Sequence, residues 1–142
     1  MPAAVPTTLL AHHAPAGFHY DWLIAPPPGR DAAGHPRPAT ASAAADPPPL
    51  WTARVVRPWS AWRPGERFVA VALPPHRRRY LHWSGTLSGH RGHVHPAARA
   101  TVRVHRWTPA ALTLHLHVGD APVRLDLRRP TPTAPLWTVW VT

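Results

Sequence analysis

Apolar and polar residues alternate through most of the second half of the chain. Val102 and Val104 alternate with Arg103 and His105. Leu112, Leu114, Leu116 and Val118 alternate with Thr113, His115 and His117, and Val123, Leu125 and Leu127 with Arg124, Asp126 and Arg128. A period of two sends successive side chains to opposite faces, so each run predicts a strand with one buried and one solvated side. Gly119-Asp120, between the last two runs, predicts a tight hairpin turn. Residues 7–11, 18–24, 50–56 and 67–73 are further β-branched or aromatic runs with Pro or Gly nearby, and residues 136–141 are apolar on both faces. Scattered Pro and Gly disfavour long helices, leaving residues 74–79 as one short helical turn. About eight short strands predict an all-β fold, a small closed or nearly closed antiparallel barrel, as one domain over residues 1–142.

One segment breaks the pattern. Residues 25–49 are nearly all Pro, Ala, Gly, Thr and Asp, opening with Pro26-Pro27-Pro28-Gly29 and closing with Pro47-Pro48-Pro49. Such a stretch buries too little apolar surface to offset its ordering entropy, which predicts a long flexible Pro/Ala-rich surface loop.

Charge narrows the partners. Sixteen basic residues face six acidic ones for a net charge of +10, and every basic side chain is Arg. A GC-rich genome accounts for a lack of Lys, but not for the excess of positive charge. The planar Arg fork suits phosphate, so a polyanion is the partner this surface fits. The absence of cysteine excludes disulfides, thiolate zinc sites and cysteine nucleophiles. No apolar run approaches the ~20 residues needed to span a bilayer, and the N-terminus lacks the pattern of a signal peptide. These features predict a cytoplasmic, nucleoid-associated protein with no membrane partner.

Three segments carry candidate chemistry. His19 and Asp21 lie two apart on a predicted strand and so share a face. His13 lies across a short Pro/Gly turn, and a hairpin would fold it back over that face. Two imidazoles and a carboxylate make a mixed N/O site for a divalent transition metal, although twelve histidines also supply such spacing by chance. Next, His76-Arg77-Arg78-Arg79-Tyr80 follows an apolar strand. Its imidazole can give a proton to a leaving oxygen, and its Arg and Tyr side chains can hold phosphate oxygens; a solvated basic turn is the plainer reading. Last, Ser84 to His95 is rich in Gly and His and reads as a mobile turn. The eight tryptophans sit mostly in strand-like runs and are expected in the core or at its rim, with one free to stack on a base.

In order along the chain, these segments resemble the 3′-phosphoesterase domain of bacterial DNA ligase D and its short stand-alone relatives. The resemblance rests on His13, His19-Tyr20-Asp21, Trp51, His76 with Tyr80, and Gly85 through Gly92. It implies a manganese-dependent β-barrel enzyme that removes 3′-phosphates and 3′-terminal ribonucleotides from DNA ends in repair. His13, His19 and Asp21 would then hold Mn²⁺, and His76 and Tyr80 would contact the scissile phosphate. The substrates implied are DNA or RNA 3′ ends, with a ligase or polymerase of end joining as partner. The family's Arg two residues after the Asp is Leu23 here, leaving Arg77, Arg78 and Arg79 as candidates to replace it. Its Lys shortly after the Trp is also missing, with Arg54 or Arg57 nearby. Leu23 favours an alternative reading, a non-catalytic nucleic-acid-binding barrel. A third, a non-haem iron oxygenase, follows because His19-x-Asp21 with a remote His is also the facial-triad pattern.

Overall fold

The protein, described by a computed structural model over residues 2–38 and 47–142, forms all eight strands expected from the hydrophobic pattern. They are β1 (Ala3–Ala14), β2 (Gly17–Ile24), β3 (Leu50–Val55), β4 (Arg67–His76), β6 (His93–Thr108), β7 (Ala111–Val118), β8 (Ala121–Arg128) and β9 (Leu136–Val141). One short strand, β5 (Gly85–Thr86), was not anticipated. The order β1-β2-β3-β4-β9-β8-β7-β6 closes through a β1–β6 pairing, giving a ring of eight antiparallel strands, a nearly closed barrel. Closure leaves the ring without an open edge. Among the described residues no helix is long and apolar enough to cross a membrane.

The interior follows from the alternation. Leu9, Trp22, Ala53, Ala70, Val102, Leu114, Leu125 and Val139 point inward and are almost wholly buried. Six of the eight tryptophans are buried. Trp22 meets Trp51 and Trp62 edge-to-face at ring distances of 5.4 and 5.0 Å, and Trp51 meets Trp137 at 5.8 Å. This geometry suits the ring quadrupole and fills the barrel with few, large, rigid side chains.

β6 runs for 16 residues, far beyond the short alternating run that announced it. Its first part pairs with β1 and its last part with β7, and a register shift opposite Leu9 and Leu10 leaves Ala97 as the extra residue. Pro96 sits beside this irregularity, the kind of place where a strand tolerates proline. Likewise β4 continues through Pro74 and Pro75, where β9 no longer pairs with it and a missing N–H costs little. The helical turn expected at residues 74–79 therefore forms later, as a 3₁₀ turn over Arg78–Leu81. That turn lies over the outer wall of the barrel, where Thr8 Oγ1 donates to the Leu81 carbonyl at 2.9 Å.

The segment expected to be a flexible loop over residues 25–49 contains a folded part. Arg30 bridges Pro36, the Asp31 backbone N–H donates to the His35 carbonyl, and the His35 N–H donates to Asp31 Oδ1. Trp107 Nε1 donates to the Asp31 carbonyl at 2.9 Å, tying this turn to β6. Residues 39–46 lie outside the described residues. Gly34 has φ +86°, and a Cβ there would come within 2.5 Å of the Pro109 nitrogen. Gly34→Ala is expected to destabilise the protein by about 1–3 kcal/mol through this overlap and the strained φ. Thermal unfolding checks this; an unchanged midpoint would mean that the turn does not dock on β6.

Candidate metal centre

The β1–β2 hairpin turns through Pro15 and Ala16, so Ala14 opposes Gly17 and His12 opposes His19. Across a two-residue turn, opposed residues are always separated by an odd number of positions. His12, seven residues before His19, therefore shares its face. His13, six residues before it, opposes Phe18 and points to the other face. The expectation that His13 joins His19 and Asp21 is thus corrected to His12. A spacing of six would share a face only if the turn held an odd number of residues.

His12, His19 and Asp21 project from the outer wall of the barrel, beneath the excursion that links β4 to β6. His12 Nδ1 lies 3.1 Å from His19 Nε2 and 3.6 Å from Asp21 Oδ2. His19 Nε2 lies 3.1 Å from Asp21 Oδ1. One donor atom from each residue falls within 4.8 Å of the other two. His76, at the end of β4, brings Nε2 to 3.5 Å from Asp21 Oδ2. Its Nδ1 donates to the Pro74 carbonyl at 2.9 Å.

Asp21 is 3% exposed, and its Oδ1 has no hydrogen-bond partner despite the nearby His19 nitrogen. A buried carboxylate oxygen left unsatisfied is costly unless a cation serves it. His12 Nε2 lies 2.8 Å from the Arg91 carbonyl, which can only accept, so Nε2 carries the proton and Nδ1 offers a lone pair. Such an outer hydrogen bond is how metal-binding histidines are commonly oriented. The donor set fits a divalent transition cation.

No family model matches this chain, and no curated protein matches it.

Electrostatics divide the histidines. Burial pushes His19 below its ordinary value, the Arg54 and His12 charges add to this, and Asp21 opposes it. A neutral imidazole keeps its lone pair for a cation. Burial also pulls His76 down, but its contacts with Asp21 and the Pro74 carbonyl outweigh that, and the net shift is upward. His76 is thereby biased towards carrying a proton beside the carboxylate.

The cluster opens into a cleft of about 570 Å³ whose lining includes His12, Asp21, His76, Tyr80 and Trp83, together with Arg77, Arg79 and Arg91. Arg79 stacks on Trp83 with its guanidinium 4.6 Å from the ring centre. Tyr80 stands edge-on to His76 at 6.0 Å between ring centres. Other expected site residues lie apart from the cleft. Arg78 turns away and donates to the Pro48 carbonyl at 3.2 Å. Arg54 pairs across β2–β3 with Asp21 and is exposed on the outer wall, outside the cleft lining. His13 stacks on His93 and His95, at 4.6 and 5.5 Å between ring centres, on the opposite face of the sheet. Leu23 is wholly buried, paired with Thr8 beneath the Arg78–Leu81 turn.

Three residues of this site were not among those expected from the sequence. His12 was accessible through the turn parity. Arg91 and Trp83 carry no such signal, since only the path of the chain over the barrel brings them to the cleft.

Proposed function

We propose that the protein is a metal-dependent phosphoesterase acting on the 3′ ends of nucleic acids, with His12, His19 and Asp21 as metal ligands. The observation that carries this reading is the buried carboxylate–imidazole cluster opening into an arginine-lined cleft. Manganese is the ion implied by the resemblance to the ligase D phosphoesterase. A divalent ion bound there would supply a Lewis acid for a phosphoryl oxygen. Arg77 and Arg79 would hold the remaining phosphate oxygens through charge-assisted hydrogen bonds, and Tyr80 would add a hydroxyl donor. In hydrolysis a water oxygen would bond to phosphorus as the bond from phosphorus to the 3′ oxygen breaks; His76 would give the departing oxygen its proton, and the water would release one to solvent.

The test is release of inorganic phosphate from a 3′-phosphorylated primer. Release should require manganese and stop with a chelator, and His76→Ala should lower kcat at least about tenfold. Wild-type protein inactive with manganese, or His19→Ala as active as wild type, would sink the proposal. The burial of Leu23 favours a second reading, a barrel that binds nucleic acid without turnover. Binding that weakens steeply with salt, indifferent to metal and without phosphate release, would decide for it.

A further inference from the structure

The cleft roof includes a turn, residues 88–92, that reaches the metal cluster with its backbone and the cleft with a side chain. The Arg91 carbonyl receives the His12 Nε2 proton at 2.8 Å. The Arg91 guanidinium lines the cleft, where Nε donates to the Ser88 carbonyl at 2.8 Å and NH2 to Ser88 Oγ at 3.1 Å. Among the described residues it forms no ion pair with a carboxylate. Its guanidinium is thus held in place by neutral acceptors and faces a cleft that Arg77 and Arg79 also line, with Asp21 as the carboxylate among its walls.

The position of this turn is set by close packing. The Leu87 N–H donates to the Gly92 carbonyl at 2.7 Å. Gly92 has φ +90°, and a Cβ on it would come 1.9 Å from the His13 carbonyl oxygen. Only glycine lets the turn lie this close to β1. His90, φ +56°, is the sole non-glycine residue with positive φ among those described. The turn is therefore pinned to the strand that carries His12, and any shift of residue 92 moves the Arg91 carbonyl off His12.

We infer that this turn serves both halves of the site: the Arg91 carbonyl fixes the His12 tautomer that presents Nδ1, and the Arg91 guanidinium binds the phosphate of the ligand. The inference rests on the reading of the cleft as a phosphate-ester site and supplies the cation that Leu23 does not. Arg91 is a phosphate-binding residue through its side chain and a positioning residue through its backbone. One residue thereby couples capture of the anion to the geometry of the metal ligands.

The two roles separate by mutation. Arg91→Gln keeps the carbonyl and removes the charge, whereas Gly92→Ala keeps the charge and displaces the carbonyl. Manganese alone is titrated first by calorimetry, then inorganic phosphate is titrated into the manganese-loaded protein. Arg91→Gln should bind manganese within about twofold of wild type but phosphate about tenfold or more weakly, the loss expected for a hydrogen bond to a charged group. Gly92→Ala should weaken manganese itself about tenfold or more, as loss of an outer partner does. Should Gly92→Ala fail to fold, nitrogen-15 shifts of His12 in the metal-free wild type report the tautomer directly, and Nε2 should carry the proton. Phosphate affinity equal in wild type and Arg91→Gln, or undetectable in both, overturns the inference, as does a His12 Nε2 without a proton. A phosphate contrast at Arg91 without turnover on a 3′-phosphorylated primer would sink the phosphoesterase reading and leave the anion site standing. Turnover without that contrast would do the reverse.

Discussion

Replacing His12 with alanine is expected to abolish tight manganese binding, while His13→Ala leaves it within about twofold. The expected loss for His12→Ala exceeds the roughly 10–100-fold that removing an outer partner costs, because a donor atom itself disappears. His12 Nδ1 stands 3.1 Å from His19 Nε2, whereas the His13 ring lies across the sheet against His93 and Phe18. Metal titration followed by electron paramagnetic resonance of free manganese distinguishes the two variants. The opposite ranking would require the β1–β2 register to slip by one residue, turning every side chain of β1 to the other face relative to β2. It would thus refute the hairpin geometry together with the ligand assignment.

The largest loss of stability is expected from Trp22→Ala, on the order of 3–5 kcal/mol. Trp22 is fully buried, wedged between Trp51 and Trp62, and its Nε1 donates to Thr7 Oγ1 at 3.0 Å. That hydroxyl in turn donates to the Leu23 carbonyl at 2.7 Å. Removing the indole leaves a cavity that rigid neighbouring rings cannot fill, and it breaks the chain of hydrogen bonds. Against a typical total of about 5–15 kcal/mol, such a loss would leave a marginal protein. Urea unfolding should show a much lower midpoint at an unchanged slope. Trp140→Ala makes the control, since Trp140 is 37% exposed on the outer face and should cost far less. Equal losses at the two positions would mean that the tryptophan cluster is not the core.

The alternation around Val102, Leu114 and Leu125 disclosed the strands because each has one wet and one dry face, and such a period survives in the bare sequence. The site was half legible. His19 and Asp21 share a face by the same period, and His76 was marked by its position after an apolar strand. His12 was missed because it depends on the length of the turn at Pro15-Ala16, where a change of one residue exchanges the faces. Arg91 was missed for a different reason. It reaches the cleft through pairing of β6 with β1, about 80 positions away in sequence, and no local pattern encodes so distant a meeting. Arg78, adjacent to two cleft arginines, holds the end of the Pro/Ala-rich segment at Pro48 instead, since in a 3₁₀ turn consecutive side chains point in different directions.

The candidate metal cluster and the walls of its cleft belong to different kinds of structure. His12, His19 and Asp21 ride on β1 and β2, strands hydrogen-bonded to neighbours on both sides within the ring. Arg77, Arg79, Trp83 and Arg91 ride on the excursion between β4 and β6, anchored at a few points such as Thr8 and Gly92. The candidate ligands thus sit on fully paired strands and most of the arginine-bearing wall on a sparsely anchored cover, with Arg91 where the two meet. Under the proposed reading, rewriting residues 77–87 would change what the cleft accepts while leaving the Arg91 carbonyl, and with it the candidate metal ligands, in place.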